Sequence, residues 1–93
     1  MSESVVTRTF VIKDPQGLHA RPAQIFAKTA LQFKSHIELL YADRRIDAKS
    51  ILEILTLGAD ANARIILEAR GDDAEQAAEA LVQLANDIFA NNS

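Results

Sequence analysis

The sequence GLHARPA at residues 17–23 places a histidine between a glycine and the start of a predicted helix. If that helix begins at Ala20, His19 is its N-cap, and Arg21 and Pro22 lie in its first turn. Proline suits this turn because its missing N–H would have no intrahelical acceptor and its fixed φ fits a helix. Gly17 supplies the permissive backbone that turns the chain. The stretch therefore predicts where the first helix begins.

The same residues predict an anion site. A helix N-terminus offers unpaired N–H groups and a partial positive charge, and Arg21 adds a planar cation suited to phosphoryl oxygens. The motif holds no carboxylate, second histidine or serine that would equip His19 for hydrolysis or metal binding. A neutral imidazole is a nucleophile, so this arrangement favours a phosphoryl group on the ring. From the residues alone, a surface or capping role for His19 stays open.

The pattern of the remaining chain predicts an alternation of strands and helices. Apolar and β-branched residues at period two indicate strands, and apolar residues at helical spacing indicate helices. Strands are predicted at 5–12, 36–41, 44–48 and 63–69, and helices at 20–33, 50–57 and 73–89. The order βαββαβα predicts an α+β fold in which three helices cover one face of a four-stranded antiparallel sheet.

Length and composition restrict the class of protein. We expect residues 1–93 to form one domain, because a domain usually takes about 100 to 150 residues. The chain has no cysteine, which excludes disulfides and thiolate metal sites. A net charge of −3 and few aromatic residues argue against nucleic-acid binding. No segment has the apolar length of a membrane span or a signal peptide, so we expect a cytoplasmic protein with protein partners.

GLHARPA, together with KSILEILTLG at residues 49–58 and GDDA at residues 71–74, resembles the HPr family of the bacterial phosphoenolpyruvate-dependent phosphotransferase system. The resemblance extends over nearly the whole chain and implies an open-faced β-sandwich. It implies that Nδ1 of His19 accepts a phosphoryl group from phosphorylated enzyme I, with Arg21 stabilising it. The group then passes to the A domains of enzyme II complexes in sugar uptake. A carrier of this kind is not a free-standing enzyme, and we expect a monomer with no cofactor or metal.

The partner surface should surround His19 and leave its ring accessible. A stripe along the first predicted helix lies beside the core-facing positions. Its members are Ala20, Gln24, Ala27, Lys28 and Leu31. The short helix at 50–57 is apolar nearly all round, which predicts that Ile51, Leu52 and Leu55 extend this docking surface. A deeply buried short helix is the alternative.

Ser50 has two interpretations. The resemblance marks it as the position that, in many bacteria, is phosphorylated by a dedicated HPr kinase/phosphorylase. Ser50 and Glu53 also form the pattern of a capping box, in which each side chain accepts the other residue's backbone N–H, and this alone would explain the serine. Regulatory phosphorylation and simple capping therefore both stay open.

Two rival functions make different demands on this sequence. A small phosphate-binding enzyme such as an acylphosphatase would need a glycine-rich loop with an arginine after the first strand, where this chain has KDPQG and then histidine. A nitrogen-branch or purely regulatory relative would keep His19 but use it for signalling. The sequence does not identify the sugar or the branch. His36, which has no motif around it, is expected to have no role in the site.

Overall fold

The computed structural model describes residues 4–89, which form four strands and three helices. In chain order these are β1 (Val5–Val11), α1 (Ala20–Ala30), β2 (His36–Tyr41), β3 (Arg44–Asp47), α2 (Ile51–Leu55), β4 (Arg64–Arg70) and α3 (Ala74–Ile88). The strands form one antiparallel sheet in the order β1-β4-β2-β3. The predicted open-faced β-sandwich and its βαββαβα order are confirmed.

Alternation along the strands gives the sheet one apolar face and one polar face. Ile65, Leu67 and Ala69 of the central strand β4 are buried, whereas the residues between them are exposed or half-buried. In the antiparallel register, Phe10 of β1 lies opposite Ile65, and Leu39 of β2 lies opposite Leu67. Because side chains alternate between faces, these residues form one continuous apolar surface beneath the helices.

Small side chains allow α1 and α3 to pack closely on this surface. The buried positions of the two helices are mostly alanines, and they are Pro22, Ala23, Phe26, Ala27 and Ala30 in α1 and Ala74, Ala77, Ala78, Leu81 and Ala85 in α3. Three phenylalanine rings fill the space that remains, with centroids 5.8 Å apart for Phe10 and Phe26 and 6.2 Å apart for Phe26 and Phe89.

Within residues 4–89, no helix has the length and apolar content required to cross a bilayer.

The first helix is shorter than the sequence predicted. The apolar pattern extended it over residues 20–33, but α1 ends at Ala30 with Leu31 as its C-cap. Phe33 keeps its apolar contact with the core from the turn that follows, where its carbonyl accepts a hydrogen bond from Lys49 Nζ at 2.8 Å. The other predicted bounds differ from the observed ones by at most two residues.

Candidate functional site

The turn that leads into α1 is held from several directions. The Gly17 N–H donates to the Asp14 carbonyl at 2.8 Å, which closes a β-turn with Pro15 at its second position. Oδ1 of Asp14 accepts the Gln16 N–H at 2.9 Å. The Asp14 N–H donates to the Phe89 carbonyl at 3.0 Å, so the turn is also attached to the residue that follows α3.

Gly17 is required where the turn meets the loop before β4. Its φ of +70° lies in the left-handed region that side chains disfavour. A Cβ added there would lie 2.7 Å from the Ala59 carbonyl oxygen. The next residue, Leu18, donates its N–H to the same oxygen at 3.1 Å. This close approach of two backbones fixes the direction from which the chain reaches His19.

His19 occupies the predicted N-cap of α1. Its backbone is extended, and its carbonyl accepts the first helical hydrogen bond, from the Ala23 N–H at 3.1 Å. The side chain does not cap the helix; instead, Nε2 lies 3.1 Å from Oδ2 of Asp14. The ring keeps 35% of its side-chain surface exposed, so it remains accessible to another molecule.

Asp14 is the site residue that the motif did not reveal. Residues 17–23 contain no carboxylate, and Asp14 lies three residues before this motif. A usable signal was present, because an aspartate before proline and glycine favours a turn that returns the carboxylate towards the following residues. The site therefore combines an imidazole with an acid.

The hydrogen bond between these two side chains distinguishes the ring nitrogens. The pKa of the Asp14 carboxyl is held below its ordinary value, first by the Gln16 backbone N–H and next by the hydrogen bond to His19. Near pH 7 the carboxylate is therefore ionised and can only accept. Nε2 must supply the proton, which leaves the lone pair of a neutral ring on Nδ1.

The start of α1 has groups of the kind that bind anions. Pro22 has no N–H, and the Ala23 N–H is already bonded to His19, so Ala20 and Arg21 provide the amides without an intrahelical acceptor. Arg21 lies in this first turn, as predicted, and it is exposed. His19, the free amides of Ala20 and Arg21, and the Arg21 residue itself therefore belong to the N-cap and first turn of one helix.

Most of the stripe predicted along α1 is exposed, and one member is not. Ala20, Gln24 and Lys28 are exposed, and Leu31 retains 62% of its surface. Ala27 is only 1% exposed, so its assignment to the docking surface is wrong. Because α1 contacts both α2 and α3, its buried face is wider than the sequence pattern indicated.

The short helix α2 contributes an apolar surface beside α1. Only Ile54 within it is buried, so the alternative of a deeply buried helix is wrong. Ile51 and Leu55 are half-buried, and Leu52 is 77% exposed. Since α2 contacts α1, these residues and the exposed part of α1 lie on neighbouring helices.

Ser50 caps α2, but the reciprocal half of the predicted capping box is wrong. Its hydroxyl oxygen accepts the Glu53 N–H at 3.2 Å, as predicted. The Glu53 carboxylate does not return to the Ser50 N–H and instead accepts the Asp47 N–H at 3.1 Å. The Ser50 N–H donates to the Asp47 carbonyl at 3.1 Å. Asp47, at the end of β3, therefore binds both groups that the capping box would have paired with each other.

Comparison with known proteins identifies the family. Residues 6–87 match the protein-family profile described as the PTS HPr component phosphorylation site. The chain belongs to the HPr family. The HPr resemblance read from the sequence is thus confirmed.

Individual relatives include HPr proteins and one larger protein. The chain is 39% identical over 77 residues to the phosphocarrier protein HPr of Buchnera aphidicola, covering 83% of this chain and 91% of that one. The crystal structure of HPr-C-His from Thermoanaerobacter tengcongensis is 40% identical, with a TM-score of 0.86 over 95% of this chain and 99% of that one. DhaM of Providencia stuartii, the phosphoryl donor subunit of a PEP-dependent dihydroxyacetone kinase, is 38% identical over 91 residues. That match covers 98% of this chain and only 19% of DhaM.

Proposed function

We propose that Nδ1 of His19 accepts a phosphoryl group from phosphorylated enzyme I and passes it to the A domains of enzyme II complexes in sugar uptake. The observation that carries this proposal is the position of His19 at the start of α1, where the Ala20 and Arg21 amides have no intrahelical acceptor. The 3.1 Å hydrogen bond of Nε2 to Asp14 leaves Nδ1 as the nucleophilic nitrogen of this ring. Membership of the phosphocarrier family supports the same chemistry.

The transfer requires no group beyond those of the two proteins. The Nδ1 lone pair forms a P–N bond while the P–N bond in enzyme I breaks and returns its electron pair to the donor ring. The phosphoryl oxygens are stabilised by the amides of α1 and the Arg21 guanidinium. In the second transfer, His19 becomes the leaving group. The chain therefore carries the group between enzymes without cofactor or metal.

The docking surface in this proposal is formed by the exposed part of α1 together with α2. Its residues are Ala20, Gln24, Lys28, Leu31, Ile51, Leu52 and Leu55. Apolar side chains exposed beside a reactive group are typical of a protein-binding surface. We infer that the protein works as a monomer in the cytoplasm, where enzyme I and phosphoenolpyruvate are found, because each transfer needs this surface free.

The test is incubation with purified enzyme I and phosphoenolpyruvate, followed by intact-mass measurement and site mapping. We expect one added phosphoryl group, on His19, in a linkage that acid destroys because a protonated imidazole ring is the better leaving group from phosphorus. His19→Ala should abolish labelling, and the matched control His36→Ala should label like the unmodified protein. Labelling of His36, or an acid-stable product, would contradict the proposal.

A second candidate follows from the similarity to DhaM. Because that match covers 98% of the chain, the phosphoryl group carried by His19 could serve a dihydroxyacetone kinase instead of sugar uptake. Offering the phosphorylated protein to an enzyme II A domain and to a dihydroxyacetone kinase, in separate reactions, distinguishes these acceptors. Transfer only to the kinase system would favour the second candidate.

A further inference from the structure

The Asp14 carboxylate is oriented by contacts that do not involve histidine. Its backbone N–H is bonded to Phe89, its carbonyl to Gly17, and its Oδ1 to the Gln16 N–H. Only Oδ2 is left to face the imidazole, and the Asp14 side chain is 21% exposed. The turn therefore presents one acceptor oxygen in a fixed direction, and Nε2 of His19 lies 3.1 Å from it.

We propose that Asp14 is a positioning residue of the phosphotransfer site, which holds the proton on Nε2 of His19 and thereby directs the phosphoryl group to Nδ1. This inference rests on the proposed function of His19. In a free imidazole the proton exchanges between the two nitrogens, and Nε2 is the less hindered nucleophile because Nδ1 adjoins the substituted ring carbon. A fixed acceptor at Nε2 removes that competition.

The same contact stabilises the charge that the transfer creates. When Nδ1 gives its lone pair to phosphorus and Nε2 keeps its proton, the product is a phosphorylated imidazolium with a positive ring. No proton has to leave, and the Asp14 carboxylate compensates the ring charge at hydrogen-bond distance. A ring that stays protonated is also the better leaving group when the phosphoryl group moves on.

Asp14→Asn is the most discriminating variant. The side-chain oxygen of asparagine can still accept the Gln16 N–H and so preserve the turn. The amide NH₂ then faces Nε2 as a hydrogen-bond donor. We therefore expect the proton of a neutral His19 to move from Nε2 to Nδ1. Nitrogen-15 NMR of the histidine rings in the unphosphorylated protein measures this tautomer directly. Asp87→Asn, which removes an exposed carboxylate from α3, is the charge-matched control and should leave the tautomer unchanged.

The kinetic consequence is measured with phosphorylated enzyme I. We expect Asp14→Asn to lower kcat at least about tenfold with little change in KM, because a lost charge-assisted hydrogen bond affects the reacting ring and leaves the docking surface intact. An unchanged tautomer, or a reversed tautomer with unchanged kcat, would overturn the positioning role. A wild-type protein that enzyme I does not label would instead contradict the proposed function, and the tautomer measurement needs no enzyme I.

Discussion

Both histidines of this chain have an acidic partner, and their other surroundings distinguish them. Nε2 of His36 lies 3.2 Å from Oε2 of Glu38, much as Nε2 of His19 lies 3.1 Å from Asp14. His36 begins β2 on the exposed side of the sheet, whereas His19 lies at the start of a helix. The free amides and the arginine of that helix are therefore what make His19 the candidate phosphoryl acceptor.

Arg21→Ala tests the contribution of the guanidinium. We expect the fold to be unchanged, because the side chain is exposed, and phosphoryl transfer to slow by roughly 10- to 150-fold. That range corresponds to the loss of charge-assisted hydrogen bonds of about 1.5 to 3 kcal/mol. Transfer rates from enzyme I and circular dichroism measure the two effects.

Arg70→Ala is the matched control for Arg21. Arg70 is also exposed and lies at the end of β4 that pairs with the start of β1 and of β2. Its removal should leave the transfer rate unchanged. Equal slowing in both variants would mean that Arg21 acts only through the overall charge of the protein.

The role of an individual residue could be predicted only where the signal lies in the residues next to it in the sequence. His19 and Arg21 were identified because a helix start can be read from adjacent residues. Asp14 was missed because its role depends on a turn, and the capping box failed in part because Asp47 arrives from a neighbouring strand. Ala27 was misplaced because neighbouring helices decide which side of α1 is buried.

At the scale of elements, Ser50 tests whether α2 carries a switch as well as a cap. Ser50→Ala should destabilise the protein by about 0.5 to 2 kcal/mol because it removes the acceptor of the Glu53 N–H. Ser50→Asp should leave stability nearly unchanged, since aspartate caps well. We expect it to slow phosphorylation of His19, because the added charge would lose water at the apolar surface of Ile51, Leu52 and Leu55.

Urea unfolding and the rate of labelling by enzyme I measure these two effects. If Ser50→Asp is phosphorylated as fast as the unmodified protein, charge at this surface does not regulate docking and capping is a sufficient explanation of the serine. Slowed labelling with unchanged stability would support regulation of the kind exerted by an HPr kinase/phosphorylase.

Asp73 connects the start of α3 to the loop between α1 and β2. Its carboxylate accepts hydrogen bonds from the Lys34 N–H at 2.8 Å and from the Ser35 N–H at 2.9 Å. It also accepts a hydrogen bond from the Ser35 hydroxyl. These bonds hold the pKa of the Asp73 carboxyl below its ordinary value, the Ser35 hydroxyl being the largest cause. The carboxylate therefore stabilises the fold above the ordinary carboxyl pKa, and this stabilisation is lost as pH falls through the lower folded-state value.

Asp73→Asn should accordingly be less stable than the unmodified protein near pH 7. The difference should shrink as the pH is lowered below about 4, because the unfolded state of the unmodified protein then binds a proton that the folded carboxylate, with its lower pKa, binds only at still lower pH. Urea unfolding at several pH values measures this, with Asp87→Asn as the exposed control. A stability difference that is constant down to about pH 2 would contradict the role of the ionised carboxylate.

Element order and strand positions were predictable because alternation along a strand is a strong periodic signal. The end of α1 was not, since no glycine or proline follows Ala30 and Phe33 continues the helical spacing. The apolar contact of Phe33 is retained without a helix, so the sequence pattern alone could not distinguish the two conformations.

At the scale of the whole molecule, the site depends on segments that are distant in the sequence. The turn at Asp14 is bonded to Phe89, and Leu18 is bonded to Ala59. These contacts bring the end of the first strand, the loop before β4 and the end of α3 to one place. The position of His19 is therefore a property of the complete fold, although the motif around it is only seven residues long.

A mutation in the core should lower stability, whereas a mutation in the docking surface should weaken binding to enzyme I. Phe26→Ala should destabilise the protein by about 3 to 5 kcal/mol, because the ring is fully buried between Phe10 and Phe89. Leu52→Ala should change stability by less than about 0.5 kcal/mol and raise the KM of enzyme I for the protein, because Leu52 is 77% exposed. Urea unfolding and transfer kinetics measure these effects. A large loss of stability in Leu52→Ala would contradict the assignment of α2 to the docking surface.

The carrier function is tested most directly by a single-turnover chase. The protein is phosphorylated by enzyme I, freed of donor and phosphoenolpyruvate, and mixed with an excess of an enzyme II A domain. We predict that the phosphoryl group leaves His19 and appears on the acceptor in equal amount, without release of inorganic phosphate. A phosphoryl group that stays on His19, or that is released only as inorganic phosphate, would contradict the proposal that this chain passes the group on to enzyme II.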